Sequence, residues 1–188
     1  MLVWSTKMDK FYKNNQSIQQ NKDIGKVLQI GHYLIINSKK ASEQNRIAIY
    51  GLGSCVAPII IDKQNKYAGI SHILLPSANG RNSMEFPHKY ANLSIKFLIK
   101  ELMKHGSNTR DLIAIIIGGA NIFQNEDWIV GNENVQMVER ELKKFQINIV
   151  KREIGGSKGR IIIFDPKSFT IYSKLTGEKE YRILWNLS

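Results

Sequence analysis

Cys55 is the only cysteine in the chain, and it follows directly on a turn-forming run, Gly51-Leu52-Gly53-Ser54. His72 stands seventeen positions further on. A thiol is a strong nucleophile as its thiolate, which a neighbouring base or oriented backbone N–H groups can supply. Glycines at 51 and 53 let the backbone turn sharply and aim amides at the sulfur, so Gly53 and Ser54 are read as the turn and oxyanion side of a site. In that reading His72 takes the thiol proton and later delivers a proton to a leaving amine or ammonia. The same residues carry a structural reading: free cysteine is among the most buried residue types, and a core histidine satisfied by its neighbours needs no substrate. The residues alone leave both open.

Two strands must position the pair. Residues 55–61 and 67–75 are apolar and β-branched, and the intervening Asp62-Lys63-Gln64-Asn65-Lys66 is turn chemistry, which predicts a β-hairpin. Folding about Gln64 and Asn65 pairs positions whose numbers sum to about 129, leaving Cys55 opposite or diagonal to His72. Period two puts Cys55, Ala57 and Ile59 on one face, with Ile70, His72 and Leu74 on one face of the partner strand. Pro58 lacks a ladder donor, so an edge strand or a bulge is expected there. Ser77 and Asn79 fall in a polar loop placed to overhang the site as a substrate rim.

Downstream, Pro87 opens a helix with Ala91, Ile95, Leu98 and Leu102 on one stripe, and Gly106 ends it. Residues 112–117 read as a strand buried on both faces that runs into Gly118 and Gly119, a tight turn first and a part of the rim second. Asn132 is expected to cap a second helix with Val135, Val138, Leu142 and Phe145 inside. Further strands are predicted over 147–150, 160–164 and 169–173, and the segment beginning at Val27 reads as strand interrupted at Gly31. Many short strands with two helices, not in strict alternation, predict an α+β fold: a mixed or antiparallel sheet covered by helices.

The chain of 188 residues suits one domain with 43% hydrophobic residues. Residues 1–26, rich in Asn, Gln and Lys, are expected to form a flexible or loosely docked arm, and 176–188 a tail. A single cysteine allows no internal disulfide, and no apolar run has the length of a signal peptide or membrane span, so a cytoplasmic protein without membrane insertion is expected. The formal charge of +11 is carried by scattered Lys and Arg with no nucleic-acid motif, which argues for a solvated surface and against nucleic acid as the partner. His32, His88 and His105 lack the convergent acidic or thiolate groups of a metal site, His88 and His105 are expected at the surface, and no cofactor fingerprint is present.

The ordered set Gly51-Leu52-Gly53-Ser54-Cys55-Val56-Ala57, Gly69-Ile70-Ser71-His72, Lys89-Tyr90-Ala91, Gly118-Gly119-Ala120-Asn121, Gly131 with Asn134, and Gly155-Gly156 with Gly159-Arg160 resembles the CheD family of chemoreceptor glutamine deamidases. The resemblance covers about residues 27–175. It implies a layered α/β sandwich similar to the catalytic domain of cytotoxic necrotizing factor toxins. It also implies a cysteine hydrolase in which Cys55 attacks the carboxamide of a receptor glutamine and His72 is base, then acid. Chemoreceptors and a CheC-type phosphatase are the partners it implies. The family's third catalytic residue is a threonine six positions before the cysteine, where this chain has Ile49, which cannot accept an imidazole N–H. Ile49 motivates an alternative: a catalytically weakened binding module that regulates receptors or the phosphatase by occupancy.

Overall fold

The computed structural model describes residues 25–78, 86–122 and 129–187. Among these residues, two five-stranded sheets and two α-helices form three layers. The first sheet has the order β1-β3-β8-β9-β10, from β1 (Lys26–Val27), β3 (Ile47–Leu52), β8 (Arg160–Asp165), β9 (Thr170–Leu175) and β10 (Arg182–Trp185). The second has the order β2-β5-β4-β6-β7, from β2 (Tyr33–Asn37), β4 (Val56–Asp62), β5 (Tyr67–Ser71), β6 (Leu112–Gly118) and β7 (Asn148–Ile154). Helices α1 (Ala91–Lys104) and α2 (Val130–Lys144) cover the outer face of the second sheet. This is the mixed-sheet α+β sandwich predicted, with β1 parallel to β3, β6 parallel to β7 across α2, and the remaining pairs antiparallel.

The alternation of β4 explains the layering. Cys55, Ala57, Ile59 and Ile61 point into the core between the sheets, where they meet Ile49, Leu52, Ile162, Phe164 and Ile171. Val56 and Ile60 point the other way, onto Ile95, Leu98, Leu102, Val138 and Leu142 of the helices. A strand buried on both faces must be apolar at every position, as Val56–Asp62 is until its terminal aspartate. Each fully buried isoleucine contributes roughly 1.5 to 3 kcal/mol, so this strand anchors both cores at once.

The hairpin register is the predicted one: Ile59 pairs with Ile70 and Ile61 with Ala68, and beyond a gap Val56 bridges to Ile73. The expectation for Pro58 is corrected. β4 is the middle strand of its sheet, and its pairing with β6 runs without a shift from Val56–Gly118 to Asp62–Leu112. The absent N–H falls on the β5 side by alternation, where the ladder lapses between Ile59 and Val56. The proline thus removes one bond without displacing the strand.

Other expectations shift in detail. Pro87 opens a 3-10 turn, Pro87–Lys89, and α1 starts only after Tyr90, whose extended backbone ends that turn. Asn132 lies inside α2 rather than at its cap, because the helix begins at Val130. His88 is buried, packed by Tyr33 and Phe97 with ring centroids 4.1 and 4.5 Å away. At Gly31 (φ +77°) the chain bends and passes from the first sheet to the second. Arg182–Trp185, within the span read as a tail, pairs with β9 and sets Leu184 against the inter-sheet core. Of the span read as an arm, only residues 25 and 26 are described, and Lys26 donates its N–H to Arg46 in β3 register.

Candidate active site

Extending the Val56–Ile73 bridge by one residue puts Cys55 opposite Leu74, and therefore diagonal to His72 on the same face of the sheet. Diagonal neighbours lie about 7 to 8 Å apart between Cα atoms and closer between Cβ atoms. Both side chains sit at the end of the inter-sheet core and are almost fully buried, at 6% exposure for Cys55 and 3% for His72. Ile49 faces that core from the opposite sheet and is fully buried.

His72 is held from three directions by one short turn. Its Nδ1 lies 3.2 Å from the carbonyl oxygen of Leu28. A carbonyl only accepts, so Nδ1 carries the proton and Nε2 presents its lone pair. Its carbonyl accepts from Gly31 N–H at 2.8 Å, and its own N–H donates to the His32 carbonyl at 3.0 Å. Leu28 is itself fixed by its N–H to Ala48 of β3 at 2.8 Å. The residues between β1 and β2 therefore wrap the histidine and supply the orienting acceptor that Ile49 cannot. Nε2 is buried and has no hydrogen-bond partner. Burial, with a smaller push from His32, lowers the His72 pKa from 6.5 against the opposing effect of the Leu28 bond, so the ring is a neutral base at pH 7.

Burial also pushes the Cys55 thiol up to about 11, against the opposing effect of its own backbone N–H. At rest the sulfur is therefore protonated, and a thiolate forms only if the proton has somewhere to go. The Gly53 amide, expected beside the sulfur, instead closes the turn on Gly51 O at 2.9 Å. Gly51 (φ +64°) occupies the left-handed region at a register shift in β3. The amide that serves the sulfur is that of Cys55 itself.

Gly118 and Gly119 are buried against the cysteine turn. Gly119 N–H donates to the Cys55 carbonyl at 2.8 Å, and Ala120 N–H to that of Gly53 at 2.8 Å. A Cβ on Gly118 would lie 2.2 Å from the Cys55 oxygen, so only glycine permits this approach. The 155–156 loop braces the same turn: Gly155 N–H donates to Gly118 at 2.9 Å, and Arg160 Nη2 holds the Gly155 carbonyl at 2.8 Å. A cleft of about 260 Å³ opens beside it, lined by Gly119, Asn121, Ile129, Gly131, Ile154 and Gly156. Ser77 is half-buried beyond the end of β5, and Asn79 lies outside the described residues.

Two groups beside the site were given no role from the sequence. The Leu28 carbonyl is a backbone atom and leaves no mark in residue type. Asn134 did leave a mark, as a polar residue on the stripe that carries Val135, Val138 and Leu142 inward. It is fully buried, and its Nδ2 donates to the carbonyls of Ser54 and Leu74, each at 2.9 Å. Among the described residues no group of three or more His, Cys, Asp or Glu could hold a metal. None of their helices is long and apolar enough to cross a membrane.

Fold and site together describe an α+β sandwich with one cysteine and one oriented, neutral histidine at the rim of its inter-sheet core. A family model described as CheD chemotactic sensory transduction matches residues 74–175, more than half of the chain. The chain belongs to the CheD family. Relatives named probable chemoreceptor glutamine deamidase CheD include one from Oceanobacillus iheyensis, 44% identical over 123 residues, which cover 63% of this chain and 74% of that one. One from Clostridium botulinum is 37% identical over 140 residues, 72% of this chain and 86% of the relative. A third, from Thermococcus kodakarensis, is 39% identical over 139 residues, with 72% of this chain and 83% of that one covered.

Proposed function

We propose that this protein hydrolyses the side-chain amide of specific glutamines in chemoreceptors to glutamate and ammonia, with Cys55 as nucleophile and His72 as general base and acid. The observation that carries the reading is the His72 ring, whose Nδ1–H donates to Leu28 while Nε2 stays buried and unpartnered on the face that bears Cys55. The names of the relatives supply the substrate class. As the carboxamide arrives, the Cys55 proton passes to His72 Nε2 and the sulfur bonds to the carbonyl carbon. We assign the Cys55 N–H, which serves the resting sulfur, as a donor to the developing oxyanion, a contact of the kind that is worth most in a dry site. The imidazolium then protonates the amide nitrogen, the C–N bond breaks, and ammonia leaves a thioester. His72, neutral again, takes a proton from water as hydroxide attacks. The imidazolium returns that proton to the departing sulfur, the C–S bond breaks, and the product acid ionises to glutamate.

The family resemblance supports a CheC-type phosphatase as a second partner, competing with the receptor, and a cytoplasmic location where both reside. The reading is tested with purified protein and the cytoplasmic domain of a cognate chemoreceptor. Each event converts amide to acid and adds about 1 Da to a receptor peptide by mass spectrometry. Cys55→Ala is expected to abolish the shift, and His72→Gln to reduce its rate by about a thousandfold or more. No shift in any cognate receptor with the native protein overturns the reading. Binding of the receptor without a mass shift would favour the occupancy module that Ile49 motivates.

A further inference from the structure

We propose that Asn134 is a positioning residue that holds the turn bearing Cys55 against the strand bearing His72 past their last backbone pair, an inference that rests on reading those two as the reactive pair. The regular ladder between β4 and β5 ends at the Val56–Ile73 bridge. Beyond it the two chains part: the Cys55 carbonyl is taken by Gly119, and the N–H groups of Leu74 and Leu75 both turn to Lys89. The Val56–Ile73 pair, with backbone bonds of 3.0 and 2.9 Å, is thus the last one between Cys55 and His72, and no backbone bond joins Ser54 or Cys55 to Leu74 beyond it. Past that pair the two chains are linked by the side-chain amide of Asn134, reaching down from the first turns of α2 to Ser54 O on one strand and Leu74 O on the other, each at 2.9 Å.

The chemistry fixes the orientation of that amide. Both partners are carbonyls, which only accept, so the NH2 with its two hydrogens must face them. Ser54 is the residue before Cys55, and Leu74 lies opposite Cys55 and two beyond His72 on the same face. A bond at each therefore acts on the residue beside the nucleophile and on the strand of the base. The Oδ1 of Asn134 is buried without a partner, so the residue is kept at a cost that ordinary packing would not require. Asn134 bonds to neither reacting side chain and acts through how the Cys55 turn is held against Leu74.

The test uses full-length protein carrying Asn134→Leu, which keeps the shape and removes both donors, and Asn134→Ser, which keeps a single donor on a shorter arm. Three quantities are read: melting temperature, the rate of Cys55 alkylation by iodoacetamide at pH 8 without receptor, and kcat and KM for receptor deamidation. Asn134→Leu is expected to slow alkylation and kcat at least tenfold while KM for receptor stays within twofold. Asn134→Ser should fall between it and the native protein, which keeps the comparison open if the leucine variant does not fold. In a His72→Gln background either change should slow alkylation no further, because residues acting through one contact are non-additive. Native alkylation and kcat in folded variants, or slowing that adds to that of His72→Gln, would overturn the proposal. So would equal alkylation of native and His72→Gln protein, since no pair would then exist to position. Absence of deamidation with the alkylation pattern intact would instead overturn the receptor reading and leave the role of Asn134 standing.

Discussion

A histidine can act as a base only if one nitrogen is committed and the other is free, and for His72 a backbone carbonyl achieves this as well as a side chain would. The acceptor here is Leu28 O, fixed in turn by the bond from Leu28 N–H to Ala48. Ile49, on the strand beside Leu28, is therefore released to pack the inter-sheet core. An Ile49→Thr substitution removes a buried methyl group and introduces a hydroxyl into an apolar layer, at an expected stability loss of about 2 kcal/mol. Deamidation by the folded variant should stay within about threefold of native, measured at a temperature well below its melting point. A gain of tenfold or more would mean that Leu28 does not fulfil the orienting role.

At the scale of elements, the site depends on how closely β4, β6 and the turn after β6 approach one another. Gly118 has φ of +117° and Gly119 of +67°, and both are pressed against backbone. Gly118→Ala would force a Cβ to within 2.2 Å of the Cys55 oxygen, so a loss of about 3 kcal/mol or more is expected, together with displacement of Cys55. Gly155 makes the control: φ is +72° with no atom within 4 Å of the added Cβ, and Gly155→Ala should cost only about 1 kcal/mol. Urea denaturation of the two variants checks the difference. Similar losses would show that backbone conformation, not close approach, makes Gly118 necessary.

At the scale of the whole molecule, stability is tied to pH through histidines that the fold keeps neutral. His88 lies between Tyr33 and Phe97, and burial, with a smaller effect of His32, brings its pKa down from 6.5 to about 3. Unfolding exposes a ring that takes up a proton below about pH 6.5, so the unfolded state binds more protons between about 6.5 and 3. Stability from this group is full above that window and is lost as pH falls through it. His72, also lowered, acts in the same direction. The melting temperature should drop between pH 7.5 and pH 5, and His88→Phe should make the drop smaller; an equal drop would assign the effect to other groups. Local sequence determined much of this protein: the hairpin and its register, the apolar stripes of both helices, and the order of the later strands follow from alternation, 3.6-residue spacing and turn chemistry, which are short-range. The single cysteine and the histidine on the same face were legible for the same reason. Tertiary structure decided what local pattern does not encode. Pro58 sits in a central strand because its missing donor happens to face a lapse in the ladder, His88 is buried because β2 and α1 close over it, and Leu28 orients His72 because a two-residue strand from the other sheet ends beside it. Each of these depends on which segments meet across the fold, and a backbone carbonyl, present at every position, becomes specific only where the chain places it.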